Sequence, residues 1–212
     1  MNSSVQFKDG TVKLSGHFVC PDKINVGESA TSYRLSIGLL AGIGCSTTFN
    51  LERSLSLRPN KPLEDALGSV GVAIRKVSDL LIEMDSSEVK SGDIRVNQET
   101  SSQFVSSLML MNATGNFHGK IILEGKRTSR GYIDITEKCI NDFGLIAEKS
   151  ENYININGKI VNEEREMEVE RDYSSAAYFI VLGLLASEKG IRIVGLRKNS
   201  FQPDAAILDI LK

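Results

Sequence analysis

Apolar positions along the chain fall into two rhythms. Helical spacing occurs in SATSYRLSIGLLA (29–41), TSSQFVSSLMLMN (100–112) and YSSAAYFIVLGLLA (173–186), where apolar residues recur three and four positions apart. Each stretch opens on small hydroxyl residues, which can satisfy the N–H groups that lack a partner in the first turn of a helix. A short β-rich segment follows each (STTFNL, GKIILEG, GIRIVGL), and then a second amphipathic stretch: NKPLEDALGSVG, YIDITEKCINDFG and PDAAILDILK. Further alternating segments, VAIRKV with LLIEM and LIAEK with YININ and MEVE, read as strands.

The pattern repeats with a period of about 72 residues, giving two full copies and a third cut short. Within a copy the order is strand, helix, strand, helix, strand, strand, which predicts an α/β (α+β) fold of β-α-β-α-β-β units. Helices in such a unit need a sheet to cover, so neighbouring copies should pack around shared helices. Gly71 and Gly144 each follow a second helix, where glycine serves as a left-handed cap. The charge run EEREMEVERD (163–172) predicts a half-buried strand with Met167 and Val169 inward. We place a domain boundary near Glu170. Residues 1–170 are then one domain of units at about 11–91 and 92–170 lacking a first unit, and 171–212 begin a second, truncated domain.

Composition narrows the partners. The 212 residues are 41% hydrophobic, enough for a real core, and 25 basic against 27 acidic residues leave a net charge of −2. That balance gives no general drive toward nucleic acid or an anionic membrane, so an anionic ligand must be held by local groups. No apolar run approaches the roughly 20 residues that span a bilayer. Cys20, Cys45 and Cys139 are odd in number and lack a CxxC spacing, which argues against a disulfide framework or structural zinc and fits a reducing cytoplasm. His17 and His118 have no partner at metal-ligand spacing. Gly42-Ile43-Gly44 lacks the rest of a dinucleotide fingerprint.

The candidate chemistry sits at helix starts. Free N–H groups and the positive end of the helix dipole make a hydroxyl-rich first turn a cradle for phosphate or carboxylate, although an ordinary cap has the same composition. Just before the second helices lie Arg58 in SLRPNKP, Ser129 and Arg130 in TSRGYIDIT, and Asp204 in SFQPDAA. An arginine can fork onto phosphate oxygens, and a carboxylate can accept from hydroxyls or take a proton.

These segments, in this order, are specific. SSQFVSSLML, SRGYIDITEKCINDFG and DYSSAAYFIVLGLL with NSFQPD resemble the middle of the EPSP synthase family, the enolpyruvyl transferases of the shikimate pathway that leads to chorismate and the aromatic amino acids. INVGESATSYR and SLSLRP resemble the motifs that precede them. The resemblance implies two domains, each of three β-α-β-α-β-β units in the inside-out α/β fold, with the active site between them. It implies attack of the 5-hydroxyl of shikimate 3-phosphate on phosphoenolpyruvate with loss of phosphate, using no cofactor and no metal. Ser101, Ser102, Ser129 and Tyr132 would bind shikimate 3-phosphate, and Gln103 would bridge both substrates. Arg58, with the turn at Ala30, would bind phosphoenolpyruvate. Asp204 would hold the shikimate hydroxyls and act catalytically in proton transfer.

Members of that family are about twice as long as this chain, so little turnover is expected of it alone, and a partner chain or self-association through the incomplete domain is an open expectation. Glu28 and Ala30 stand where the family turn carries asparagine and glycine, and Pro203 replaces a glycine. A carboxylate beside an incoming phosphate repels it, and a methyl group crowds a close turn. The alternative is therefore a non-catalytic module that keeps a phosphorylated-shikimate-like anion site. The related UDP-sugar enolpyruvyl transferases lack the SSQF and YIDIT pattern.

Overall fold

In the computed structural model, residues 4–126, 130–158, 164–186 and 188–211 are described. An exposed hairpin of β1 (Ser4–Lys8) and β2 (Thr11–Ser15) leads into two units of the same construction. The first runs β3 (Lys23–Gly27), α1 (Ala30–Ile43), β4 (Ser46–Leu51), a one-turn α2 (Arg53–Ser56), α3 (Lys61–Gly68), β5 (Ala73–Ser78) and β6 (Leu81–Asp85). The second runs β7 (Ile94–Asn97), α4 (Ser102–Ala113), β8 (Ile121–Glu124), α5 (Arg130–Asp142), β9 (Ile146–Lys149) and β10 (Tyr153–Asn157). After these come α6 (Tyr173–Ala186), a 3-10 turn Pro203–Ala206 and the one-turn α7 (Ile207–Ile210). The β-α-β-α-β-β order expected from the repeat is thus present twice.

Both sheets have the same topology. In the first the order is β3-β4-β6-β5, with β3 parallel to β4 and the other pairs antiparallel; in the second it is β7-β8-β10-β9 with the matching directions. Register explains which face is buried. Thr47 and Phe49 pair with Met84 and Ile82, and Ile94 and Val96 pair with Ile121 and Leu123, so every second residue delivers its side chain to the core.

The helices α1 and α4 meet between the sheets. Helix α1 starts at Ser29, whose hydroxyl accepts from the Ser32 N–H, and ends at Gly44 in the left-handed region. Helix α4 starts at Ser101, whose hydroxyl accepts from the Gln103 N–H at 3.2 Å. Small residues let the two backbones touch: a methyl group added at Gly38 would lie 2.3 Å from the Ser107 carbonyl oxygen, and one at Gly42 2.3 Å from that of Met111. Ile37, Leu40, Phe104, Leu108 and Met111 fill the seam, each burial contributing about 1.5–3 kcal/mol. The expected sharing of helices between copies is this α1–α4 contact. Gly71 (φ 97°) and Gly144 (φ 87°) are left-handed as expected.

Two expectations are corrected. Cys20 and Cys45 form a disulfide, and Cys139 is the free cysteine. Parallel pairing of β3 with β4 brings the residues ahead of both strands together, which a separation of 25 along the chain concealed. Residues 164–172 form no strand; Met167 is 43% exposed and Val169 90% exposed. No strand among the described residues pairs with them, so their alternation defines no sheet face. No helix among the described residues is long and apolar enough to cross a membrane.

Candidate functional site

The start of α4 and the loop after Arg58 converge on one side chain of α1 that the sequence reading passed over, Arg34. It is 7% exposed, on the stripe of α1 that faces α4. Its Nε donates to Asn60 Oδ1 at 2.8 Å and Nη2 to the Pro59 carbonyl at 2.9 Å. Nη1 donates to Gln103 Oε1 at 3.0 Å and, at 3.4 Å, to Ser101 Oγ. The guanidinium lies 4.9 Å from the centroid of the Phe104 ring. One planar group therefore joins the loop after Arg58 to the first turn of α4.

Among the described residues the charge in this cluster is uncompensated by any ion pair. Among the described residues no carboxylate forms an ion pair with Arg34 or Arg58. Burial, followed by the nearby Arg58, pushes the Arg34 guanidinium below its ordinary value. A buried cation facing only neutral oxygens is costly, and an arriving anion offsets that cost. Gln103 closes the cluster by donating from Nε2 to Thr31 Oγ1 at 2.8 Å, a pair 72 positions apart and hence one repeat apart. Ser102 is buried at the head of α4, Ala30 is buried at the head of α1, and Glu28 and Arg58 are exposed.

A second cluster surrounds Asp204. Its Oδ2 accepts from the Tyr132 hydroxyl at 2.8 Å and the Ser174 hydroxyl at 3.0 Å. Donation to Asp204 raises the Tyr132 phenol above its ordinary value, with burial adding to it. Tyr132 and Asp204 are also 72 positions apart. Gly131 makes this approach feasible, since a side chain there would meet the Pro203 ring at 2.5 Å. Helix α5 connects the clusters, because Thr136 Oγ1, one turn after Tyr132, donates to Ser106 Oγ of α4 at 2.8 Å.

Of the candidate residues, Ser101 and Gln103 are thus joined through Arg34 to the loop that carries Arg58, and Tyr132 is joined to Asp204. Ser129 lies outside the described residues, as does the side chain of Arg130. Arg34, Asn60, Thr31 and Ser174 were missed. The available signal for Arg34 was a charged residue at helical spacing from Ala30, Ile37, Gly38 and Ala41, in the middle of an otherwise apolar face.

Among solved structures the chain is similar to EPSP synthase from Acinetobacter baumannii, with a TM-score of 0.65 and 22% identity over 86% of this chain and 42% of that one. It is also similar to the enolpyruvyl transferase NikO from Streptomyces tendae, with a TM-score of 0.50 and 18% identity over 68% of this chain and 34% of that one. The fold is therefore that of the enolpyruvyl transferases. Residues 4–212 match the family model of EPSP synthase (3-phosphoshikimate 1-carboxyvinyltransferase), and the chain belongs to that family. Curated relatives named 3-phosphoshikimate 1-carboxyvinyltransferase agree. That of Thermoplasma volcanium is 40% identical over 215 residues, covering 100% of this chain and 50% of its own length. That of Picrophilus torridus is 38% identical over 209 residues, covering 99% and 49%. The chain spans about half the length of the curated relatives it matches.

Proposed function

We propose that these residues form one wall of an enolpyruvyl transfer site that holds shikimate 3-phosphate and presents its 5-hydroxyl to phosphoenolpyruvate. In that reaction the hydroxyl oxygen bonds to the central carbon of phosphoenolpyruvate, the bond from that carbon to the phosphate oxygen breaks, and the hydroxyl proton ends on the departing phosphate. The observation that supports this reading most is the buried Arg34 guanidinium, which forms no ion pair with a carboxylate among the described residues and donates to Ser101 and Gln103 at the start of α4 and to Asn60 and the Pro59 carbonyl. Such a place favours an anion.

We assign the roles that the resemblance to the family implies. Ser101, Ser102 and Ser129 take the shikimate phosphate, and Gln103 lies between the two substrates. Exposed Arg58, in the loop tied down by Arg34, takes the phosphoenolpyruvate phosphate, and the turn at Ala30 borders it. Asp204 exchanges the Tyr132 and Ser174 hydroxyls for those of the shikimate ring and takes part in proton transfer, with Tyr132 lining the same pocket. No metal or organic cofactor enters these steps.

The division at residue 170 is part of the same proposal, supported by the end of the second four-stranded sheet at Asn157 and the start of α6 at Tyr173. A partner chain or second copy then covers the apolar side of α6, where Tyr178, Phe179, Leu182 and Leu185 are exposed. A cytoplasmic setting also belongs here. The Cys20–Cys45 bridge removes the cysteine argument for it, although disulfide-rich intracellular proteins are known in hyperthermophiles.

Calorimetry tests the reading. Shikimate 3-phosphate should bind the wild-type chain, and binding should vanish in the double variant Ser101→Ala with Ser102→Ala. Absence of binding by the wild type rejects the site assignment. The non-catalytic alternative is favoured by Glu28, whose exposed carboxylate precedes the first turn of α1. It predicts that phosphoenolpyruvate never increases shikimate 3-phosphate affinity, and that Glu28→Asn restores that effect.

A further inference from the structure

We propose that Arg34 is a positioning residue that fixes the polarity of the site: it turns Gln103 and Ser101 into hydrogen-bond donors toward bound ligand and sets their place relative to Arg58. This inference rests on the reading of Ser101, Gln103 and Arg58 as ligand-binding groups. Its first part follows from the donor inventory alone. A guanidinium carries five N–H donors and no acceptor, so the end of the Gln103 amide that meets Nη1 at 3.0 Å must be the oxygen. The opposite end, the NH2 group, then meets Thr31 Oγ1 at 2.8 Å and spends one hydrogen there. Its second hydrogen remains for a ligand. Gln103 consequently offers an N–H, and its oxygen is occupied.

Ser101 is treated the same way. Its oxygen accepts from the Gln103 backbone N–H at 3.2 Å and from Arg34 Nη1 at 3.4 Å, which uses both lone pairs and leaves the hydroxyl proton to donate. Donors of this kind suit phosphate oxygens and reject groups that can only donate. Without Arg34 the Gln103 amide could turn over and present its oxygen, which would repel an anion.

Spacing is set by the rest of the fork. Nε and Nη2 hold Asn60 Oδ1 and the Pro59 carbonyl, the two residues directly after Arg58, while Nη1 holds the start of α4. The Phe104 ring beneath the guanidinium keeps that plane from tilting. A planar, rigid fork can do this and an ammonium cannot, so lysine is not a substitute even though it keeps the charge.

The experiment compares the full chain with its Arg34→Lys variant, following the Gln103 side-chain NH2 resonances by 15N-resolved NMR with no ligand present. Those resonances should move and lose their protection from exchange in Arg34→Lys while the backbone spectrum stays folded, and the dissociation constant for shikimate 3-phosphate should rise at least tenfold, by about 1.4 kcal/mol. If Arg34→Lys does not fold, Asn60→Ala reads the same linkage: one guanidinium bonds both residues, so loss of the Asn60 side chain should shift the Gln103 amide. Unmoved Gln103 resonances in either folded variant overturn the proposal. Moved resonances in a chain whose wild type fails to bind shikimate 3-phosphate leave the positioning role standing and refute the functional reading instead.

Discussion

Helices α4 and α6 open on nearly the same words, SSQF and YSSAAYF, and their environments could hardly differ more. Helix α4 is enclosed: Phe104, Val105, Leu108, Met109 and Met111 are buried, and its first turn is fastened to α1 by Arg34 and Gln103. Along α6 only Tyr173, Ala176 and Gly183 are buried, and Tyr178 is 80% exposed. An apolar groove runs beside α6, lined by Ile180, Leu184, Ile191, Ile193 and Leu208, and none of the candidate polar residues lines it. A hydroxyl-rich helix start is therefore a property of the repeat. What distinguishes the candidate site is a buried cation that α1 carries and that bonds the start of α4 and the loop after Arg58.

Perturbing the enclosed region should have the larger consequences. Opening the Cys20–Cys45 bridge frees a loop of 25-residue separation around α1 and should cost about 3.5 kcal/mol if chain entropy governs. Urea unfolding with and without reductant measures this, and equal midpoints would mean that the bridge does not restrain the unfolded chain. Gly38→Ala should come next, at about 2–3 kcal/mol, because the new methyl group meets backbone of α4 that cannot move aside. Ser101→Ala loses the cap of α4 and should cost about 1 kcal/mol. Tyr132→Phe, at a residue 43% exposed, should change stability by less than about 0.5 kcal/mol while removing a donor to Asp204. A larger cost for Tyr132→Phe than for Ser101→Ala would reverse the contrast.

The smallest effect separates the caps. Where α4 uses a serine, α6 uses Asp172, which accepts from Ser175 Oγ at 2.5 Å and from the Ser174 and Ser175 N–H groups. Those bonds, the Ser175 hydroxyl foremost, hold its carboxyl below the ordinary carboxylate value. A depressed folded value means that this contribution is complete above the unfolded pKa of about 3.9 and is lost as pH falls through the folded one. The Ser174 and Ser175 amide resonances should titrate below that point, whereas the start of α4 should be indifferent to the same acid range.

Much of the fold was legible because the two periodicities are local. Segments 29–41 and 100–112 announced α1 and α4, and STTFNL announced β4, since burial there follows spacing along the chain. The shared α1–α4 seam was legible as a consequence of the repeat. The Cys20–Cys45 pair was not, because it depends on which strands lie side by side. Nor was the exposure of Met167 and Val169, where an alternating pattern met no sheet. In the candidate site, Ser101 and Gln103 were visible as a motif. Arg34, Asn60 and Thr31 were hidden, because their partners come from separate segments that only the packed helices bring together.

The proposed site is tested most directly by where shikimate 3-phosphate touches this chain. A titration followed by 15N-resolved NMR should move the backbone amides of Ser101, Ser102 and Gln103 and the Arg34 Nε–H together, at one saturating dissociation constant, while amides along the apolar groove of α6 stay still. Saturable shifts confined to the α6 groove, or an unmoved first turn of α4 at saturating ligand, would contradict it.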